Sequence, residues 1–264
     1  MCSQPKVPFA YKAIIAILMP PTVTITRHTW QGQENFPTEG GFIVAANHLS
    51  NLDFLPLVQM LTRLARPPKV LAKESLFRAP IVGPAMKSMG HVPVYRGTAK
   101  AAAALQGAHA ALDKGEIILI YPEGTITKDP DYWPMLGRPG AVRLALDTGA
   151  PLVPVAQWGA QRLLPRHKKL PHLLPPTRIT MTIGQPIDLS DLAARPDTSQ
   201  AAREGTTRLM ATITTMLAAL RGGQPPAKPF DQFNPDPPML GHPADSPGPA
   251  GSIDAVQPVK QAAQ

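Results

Sequence analysis

The sequence predicts an α/β fold: one domain with a mixed β-sheet flanked by helices and a short membrane-associating helix near its N-terminus. Three observations carry this. Apolar runs of about five residues recur at 42–46, 117–121 and 152–156, too short for helices and bounded by glycine, proline or polar residues. Stretches with helical spacing, such as 141–148, lie between them, so strands and helices alternate. After Gly222 the chain becomes dense in proline and poor in large apolar residues. That change predicts a folded unit over 1–222 and a disordered tail over 223–264.

Taken in order, the first apolar run is 13–19, ended by Pro20-Pro21. A spanning helix needs about 20 apolar residues, so this one predicts a short helix lying on the protein or in a membrane interface. Lys6 and Lys12 precede it as in a signal peptide, but no small-x-small cleavage pattern follows. Residues 22–26, Thr-Val-Thr-Ile-Thr, alternate and predict a strand. The strand at 42–46 leads into a helix over 54–61, where Pro56 fits only in the first turn. A strand is expected at 69–73, then helical material over 76–90 made irregular or split by Pro80 and Pro84.

Residues 91–97 predict a brief edge strand, and Thr98 can cap a helix over 100–114 that stops at Gly115. Residues 117–121 form the clearest buried strand. A helix over 141–148 ends at Gly149, and a strand follows at 152–156. Residues 162–176 are a basic, proline-broken excursion, read as a solvated face with lipid contact as the alternative. Residues 179–183 alternate as a half-exposed strand. A closing helix over 201–220 shows apolar spacing at Leu209, Ile213, Met216 and Leu220.

Composition narrows the function. An apolar fraction of 44% supports a core, and the single cysteine, Cys2, excludes an internal disulfide and suits a reducing compartment. A formal charge of +8 and a pI near 9.8 call for an anionic partner: nucleic acid, anionic lipid or a phosphorylated metabolite. Only 5% of residues are aromatic, and no Lys/Arg block or zinc spacing occurs, which argues against nucleic acid.

The candidate chemistry starts at Asn47-His48-Leu49-Ser50-Asn51-Leu52-Asp53, a polar strand-to-helix turn. Residues five apart face away from each other on a helix or a strand, so His48 meets Asp53 only if the chain folds back through Ser50-Asn51. The carboxylate would then fix the imidazole tautomer and stabilise the imidazolium. Taken alone, the spacing also fits a turn histidine beside a capping aspartate. Two further polar clusters follow strand ends, around Arg96 and at Tyr121-Pro122-Glu123-Gly124-Thr125. Ligands of α/β sheets bind outside the carboxyl ends of the strands, where an arginine suits a phosphate and a glycine turn admits an anion.

In this order the blocks resemble the glycerolipid acyltransferases of the 1-acylglycerol-3-phosphate acyltransferase type. The match comprises 47–53, the stretch Gly90-His91-Val92-Pro93-Val94-Tyr95-Arg96, the stretch 121–125 and Val153-Pro154-Val155. Lys73-Glu74-Ser75-Leu76-Phe77 and 140–145 fit the intervening pattern. The resemblance implies His48 and Asp53 as the catalytic pair and Arg96 as the acceptor-phosphate ligand. It places Asn47, Lys73, Glu123, Gly124 and Thr125 at the substrate and Val153, Pro154 and Val155 in the acyl-donor region. Glu123 is expected to orient Arg96 or a lysine. Where the family has arginine after Glu-Gly-Thr this chain has Ile126, and Lys73, Lys128 or Arg138 could supply the charge.

The implied reaction transfers an acyl group from acyl-CoA, or acyl carrier protein, to a lysophospholipid hydroxyl. No metal or resident cofactor is expected, acyl-CoA being a co-substrate. The implied setting is cytoplasmic, peripheral on the inner face of the cell membrane and against its anionic surface. Rivals are an acyltransferase for another lysophospholipid or glycerol-3-phosphate, a thioesterase, and a non-catalytic lipid-binding module.

Overall fold

A computed structural model describes residues 9–64, 66–94 and 101–234. The helices are α1 (Phe9–Ile25), α2 (Phe54–Arg63), α3 (Val82–Ser88), α4 (Ala101–Asp113), α5 (Gly140–Thr148), α6 (Ala160–Leu163), α7 (Ser190–Ala193) and α8 (Thr198–Arg221). The strands are β1 (Thr26–Gln31), β2 (Phe42–Ala46), β3 (Lys69–Lys73), β4 (Val92–Val94), β5 (Ile117–Ile120), β6 (Leu152–Trp158) and β7 (Thr177–Ile183). They form one seven-stranded sheet in the order β1-β7-β6-β2-β5-β3-β4. The five strands from β6 to β4 are parallel, β7 runs antiparallel to β6, and β1 pairs parallel with β7. The sheet is mixed, as expected.

Both faces are covered, which is why β2 and β5 read as unbroken apolar runs rather than alternating ones. On one face Val44, Ala46, Leu119, Val153 and Val155 pack with Leu57, Met60 and Leu61 of α2. On the other, Ile43, Ala45, Ile118 and Leu152 pack with α4, α5 and Leu209, Met210 and Ile213 of α8. Pro56 lies in the first turn of α2, and Pro80 lies between a 3-10 turn over Glu74–Arg78 and α3, so the helical material is split as expected, with Pro84 in the first turn of α3.

The strand expected at 22–26 is a correction. Helix α1 continues through Pro20 and Pro21 to Ile25, and β1 begins only at Thr26. Alternating threonines mimic a strand, but here their hydroxyls bond back into the helix, Thr24 Oγ1 to Pro20 O and Thr26 Oγ1 to Thr22 O. Pro21 leaves the Ile17 carbonyl without its helical donor at an exposed turn, where water can reach it. The helix is tied to the body by Tyr11, whose hydroxyl donates to Pro68 O at 3.2 Å and whose ring meets His91 edge-on. Among the described residues no helix is long and apolar enough to cross a membrane.

The expected tail also needs adjustment at its start. Phe230 O accepts from Leu136 N, and Gln232 Nε2 donates to Glu123 O at 2.8 Å and to Leu136 O at 2.9 Å. Phe233 lies under the Arg138 guanidinium. Residues 230–233 therefore strap the 121–138 segment. Residues 235–264 and the expected cap Thr98 lie outside the described residues. Truncation after Gly223 should lower the thermal midpoint, since three hydrogen bonds at about 0.5–1.5 kcal/mol each are lost. Truncation after Asn234 should leave it unchanged. Equal melting curves for the two truncated proteins would show that the strap contributes nothing.

Candidate active site

Strand β2 lies between β5 and β6, so the turns leaving their carboxyl ends meet. The first carries His48, 20% exposed, and Asp53, fully buried. Asp53 opens α2 but does not cap it. Its carboxylate turns back, and Oδ2 accepts from His48 Nδ1 at 2.9 Å, from Ser50 N at 2.8 Å and from Leu49 N. The capping alternative is thereby excluded. A carboxylate only accepts, so Nδ1 carries a proton, and in the neutral ring the lone pair is on Nε2. Tyr121 stacks on the imidazole with ring centroids 4.2 Å apart, fixing its plane.

Behind this pair is a buried clamp. Asn47 Nδ2 donates to Gln157 O at 3.0 Å, Gln157 N donates to Asn47 Oδ1 at 2.8 Å, and Gln157 Nε2 donates to Asn47 O at 3.0 Å. Ser50 Oγ donates to Leu164 O at 2.7 Å. These bonds lock the histidine turn to the end of β6 and the segment beyond it.

Glu123 is also fully buried. Its Oε1 accepts from His48 N at 2.8 Å and its Oε2 from Met135 N at 3.0 Å. Thr127 N donates to His48 O at 2.8 Å, so the two turns are joined on both sides of His48. Burial pushes the Glu123 carboxyl up to about 8, against the opposing pull of those two N–H donors.

A family model for acyltransferases matches residues 27–158. The chain belongs to the acyltransferase family. It is 32% identical over 137 residues to the chloroplastic 1-acyl-sn-glycerol-3-phosphate acyltransferase BAT2 of Brassica napus, covering 51% of this chain and 38% of that one. It is 35% identical over 128 residues to the 1-acyl-sn-glycerol-3-phosphate acyltransferase of Borreliella burgdorferi, covering 48% and 49%. The matches thus span about half or less of the length of these relatives. The fold is similar to the crystal structure of the 1-acyl-sn-glycerophosphate (LPA) acyltransferase PlsC from Thermotoga maritima. The TM-score is 0.57 at 24% identity, over 78% of this chain and 77% of that one.

The expected site residues separate into groups. His48, Asp53, Gly124 and the half-buried Thr125 lie at the carboxyl edge of the central strands. Lys73 is exposed at the end of β3, on the same edge. Arg96 lies outside the described residues, two positions past the end of β4.

Asn47 and Glu123, expected at the substrate, lie beneath the His48 turn. Their side chains are buried and bonded to backbone, and these bonds position the His48 turn. Glu123 also contacts neither a lysine nor an arginine among the described residues. Val153, Pro154 and Val155 are buried in β6, with Val153 and Val155 in the core against α2, so none presents a side chain to solvent.

Sequence reasoning missed Gln157 and the Gln232–Phe233 strap. Gln157 left one signal, a polar residue inside the apolar run of β6. The strap left none.

Gly124 has a φ of +74°, and a side chain there would meet Arg138 Nε at 3.0 Å. Glycine thus supplies a left-handed turn and lets Arg138 lie across it. Arg138 N donates to Pro122 O, and among the described residues its guanidinium has no carboxylate partner.

Proposed function

We propose that this chain transfers an acyl group from acyl-CoA to the free hydroxyl of a lysophospholipid, with 1-acyl-sn-glycerol-3-phosphate as the acceptor and phosphatidic acid as the product. The observation that carries this reading is the His48 Nδ1–Asp53 Oδ2 bond, which leaves Nε2 as a base at the ligand-binding edge of the sheet. The acceptor oxygen attacks the thioester carbonyl while its proton passes to Nε2. The tetrahedral intermediate collapses, the C–S bond breaks, and the thiolate leaves and takes the proton back from the imidazolium. Asp53 holds the ring and offsets its positive charge through the cycle. Membrane contact is peripheral in this reading, through α1, which exposes Phe9 and Ile17, and through the basic surface.

Thiol release from acyl-CoA across a panel of lysophospholipids and glycerol-3-phosphate, with products identified by mass, tests the assignment. Release only with lysophosphatidate supports it. Release without any acceptor would make the protein a thioesterase, and no release would leave a lipid-binding module.

The same reading assigns the acceptor phosphate to Arg96 and Arg138. Arg138 supplies the charge that Ile126 lacks, because it lies over the Gly124 turn. Replacing a charge-assisted contact worth about 1.5–3 kcal/mol should raise the acceptor KM by roughly 10- to 150-fold in Arg138→Ala. The KM for acyl-CoA should stay unchanged. A shift confined to the donor would place CoA phosphates at Arg138 instead, and the same kinetics on Arg96→Ala would apportion the two arginines.

A further inference from the structure

Three exposed leucines on the site's side of the fold belong to neither α1 nor the acyltransferase blocks. They lie in the excursion between α6 and β7, where Leu170 and Leu174 are 80% and 83% exposed and Leu173 is 51% exposed. Exposed Lys168 and Lys169 precede them. No aspartate or glutamate occurs between Asp147 and Asp188, so nothing within this stretch of chain neutralises the lysines. Leucines beside lysines with no carboxylate partner among the described residues suit a surface that is apolar within and negative at its face.

The excursion has a fixed base. His172 N donates to Leu163 O at 2.7 Å, closing it into a loop. Arg166 stacks over Tyr132 and donates through Nη1 to Thr127 O at 3.0 Å and Asp129 O at 2.8 Å. Leu164 O receives the Ser50 hydroxyl of the His48 turn, and Thr127 N donates to His48 O. The loop is therefore built onto the catalytic turn from two sides.

We propose that residues 167–175 are a lipid-docking loop. Its leucines insert among the acyl chains of an anionic bilayer, and Lys168 and Lys169 pair with the headgroups. This sets the partly exposed His48 against the surface in which the acceptor resides. The inference rests on the acyltransferase reading for why a bilayer is met at this edge, but its test does not depend on turnover.

The test uses a Cys2→Ser background with Leu170→Cys carrying an environment-sensitive fluorophore. The control label is at Asp113→Cys, exposed at the end of α4 on the opposite edge of the sheet. With phosphatidylglycerol-containing vesicles the Leu170 label should shift to the blue and brighten, and high salt should reverse this, while the Asp113 label stays unchanged. Lys168→Ala/Lys169→Ala should lower vesicle partition by about 30-fold, at about 1 kcal/mol per lysine. Both lysines are exposed, so the melting curve should hold, as should turnover of a soluble short-chain acceptor.

A silent Leu170 label on vesicle-bound protein would overturn the proposal and leave α1 as the contact. A shift that follows protein concentration without vesicles would overturn it in favour of a second copy of the chain. A responsive label on a protein that transfers no acyl group would sink the acyltransferase reading and keep the loop.

Discussion

His48→Ala should lose about 10²–10⁴-fold in turnover while remaining folded, because the base is removed and little else depends on the imidazole. Among the described residues the ring makes one hydrogen bond, to Asp53, and one stack, on Tyr121, whereas the backbone of His48 is held independently by Glu123 and Thr127. Asp53 is a different case. Its Oδ2 carries His48 Nδ1 and two backbone N–H groups. In Asp53→Asn the amide oxygen takes that position, since an NH₂ there would face two donors. The substitution should keep the tautomer and remove only the charge that stabilises the imidazolium, so its loss in turnover should be smaller than that of His48→Ala. Asp53→Ala should do worse than either in stability, leaving buried N–H groups unsatisfied at about 1–3 kcal/mol each. Steady-state kinetics with melting curves on the three variants decide this. Near-normal turnover in His48→Ala would sink the mechanism.

Much of this arrangement was legible from residue types. Strands β2, β5 and β6 announce themselves because burial on both faces removes alternation, and the turn-back of Asp53 follows from the impossibility of a His-x4-Asp contact on regular structure. Strand neighbours were not legible. Nothing local says that β6 lies beside β2, so the Asn47–Gln157 clamp, which spans 110 residues, could not be foreseen. The burial of Glu123 was not legible for a related reason. Its charge suggested a cation partner, while its full burial between two backbone donors shows a positioning role. The strap at 230–233 depends largely on backbone carbonyls and N–H groups of the 123–136 segment, which composition does not encode. In 22–26 the β-branched pattern was real, but threonine hydroxyls gave the backbone a helical alternative.

Glu123 carries the second large expected effect. Glu123→Ala should destabilise the fold by about 2–5 kcal/mol, because His48 N and Met135 N lose their acceptors inside the core and a cavity opens. Turnover should fall with it, since the turn that aims His48 is no longer pinned. Glu123→Gln is the sharper probe, because it keeps the shape and removes the titration. Burial raises this carboxyl from an ordinary 4.5 to about 8, so the folded protein holds a proton that the unfolded chain releases. The resulting stabilisation is fully present below about 4.5 and is lost as the pH rises through about 8. The wild-type thermal midpoint should therefore fall relative to that of Glu123→Gln across this window and run parallel to it above. Melting curves on both proteins over a pH series measure the difference directly. A constant gap throughout would mean that Glu123 is ionised in the fold, with the two backbone donors outweighing its burial.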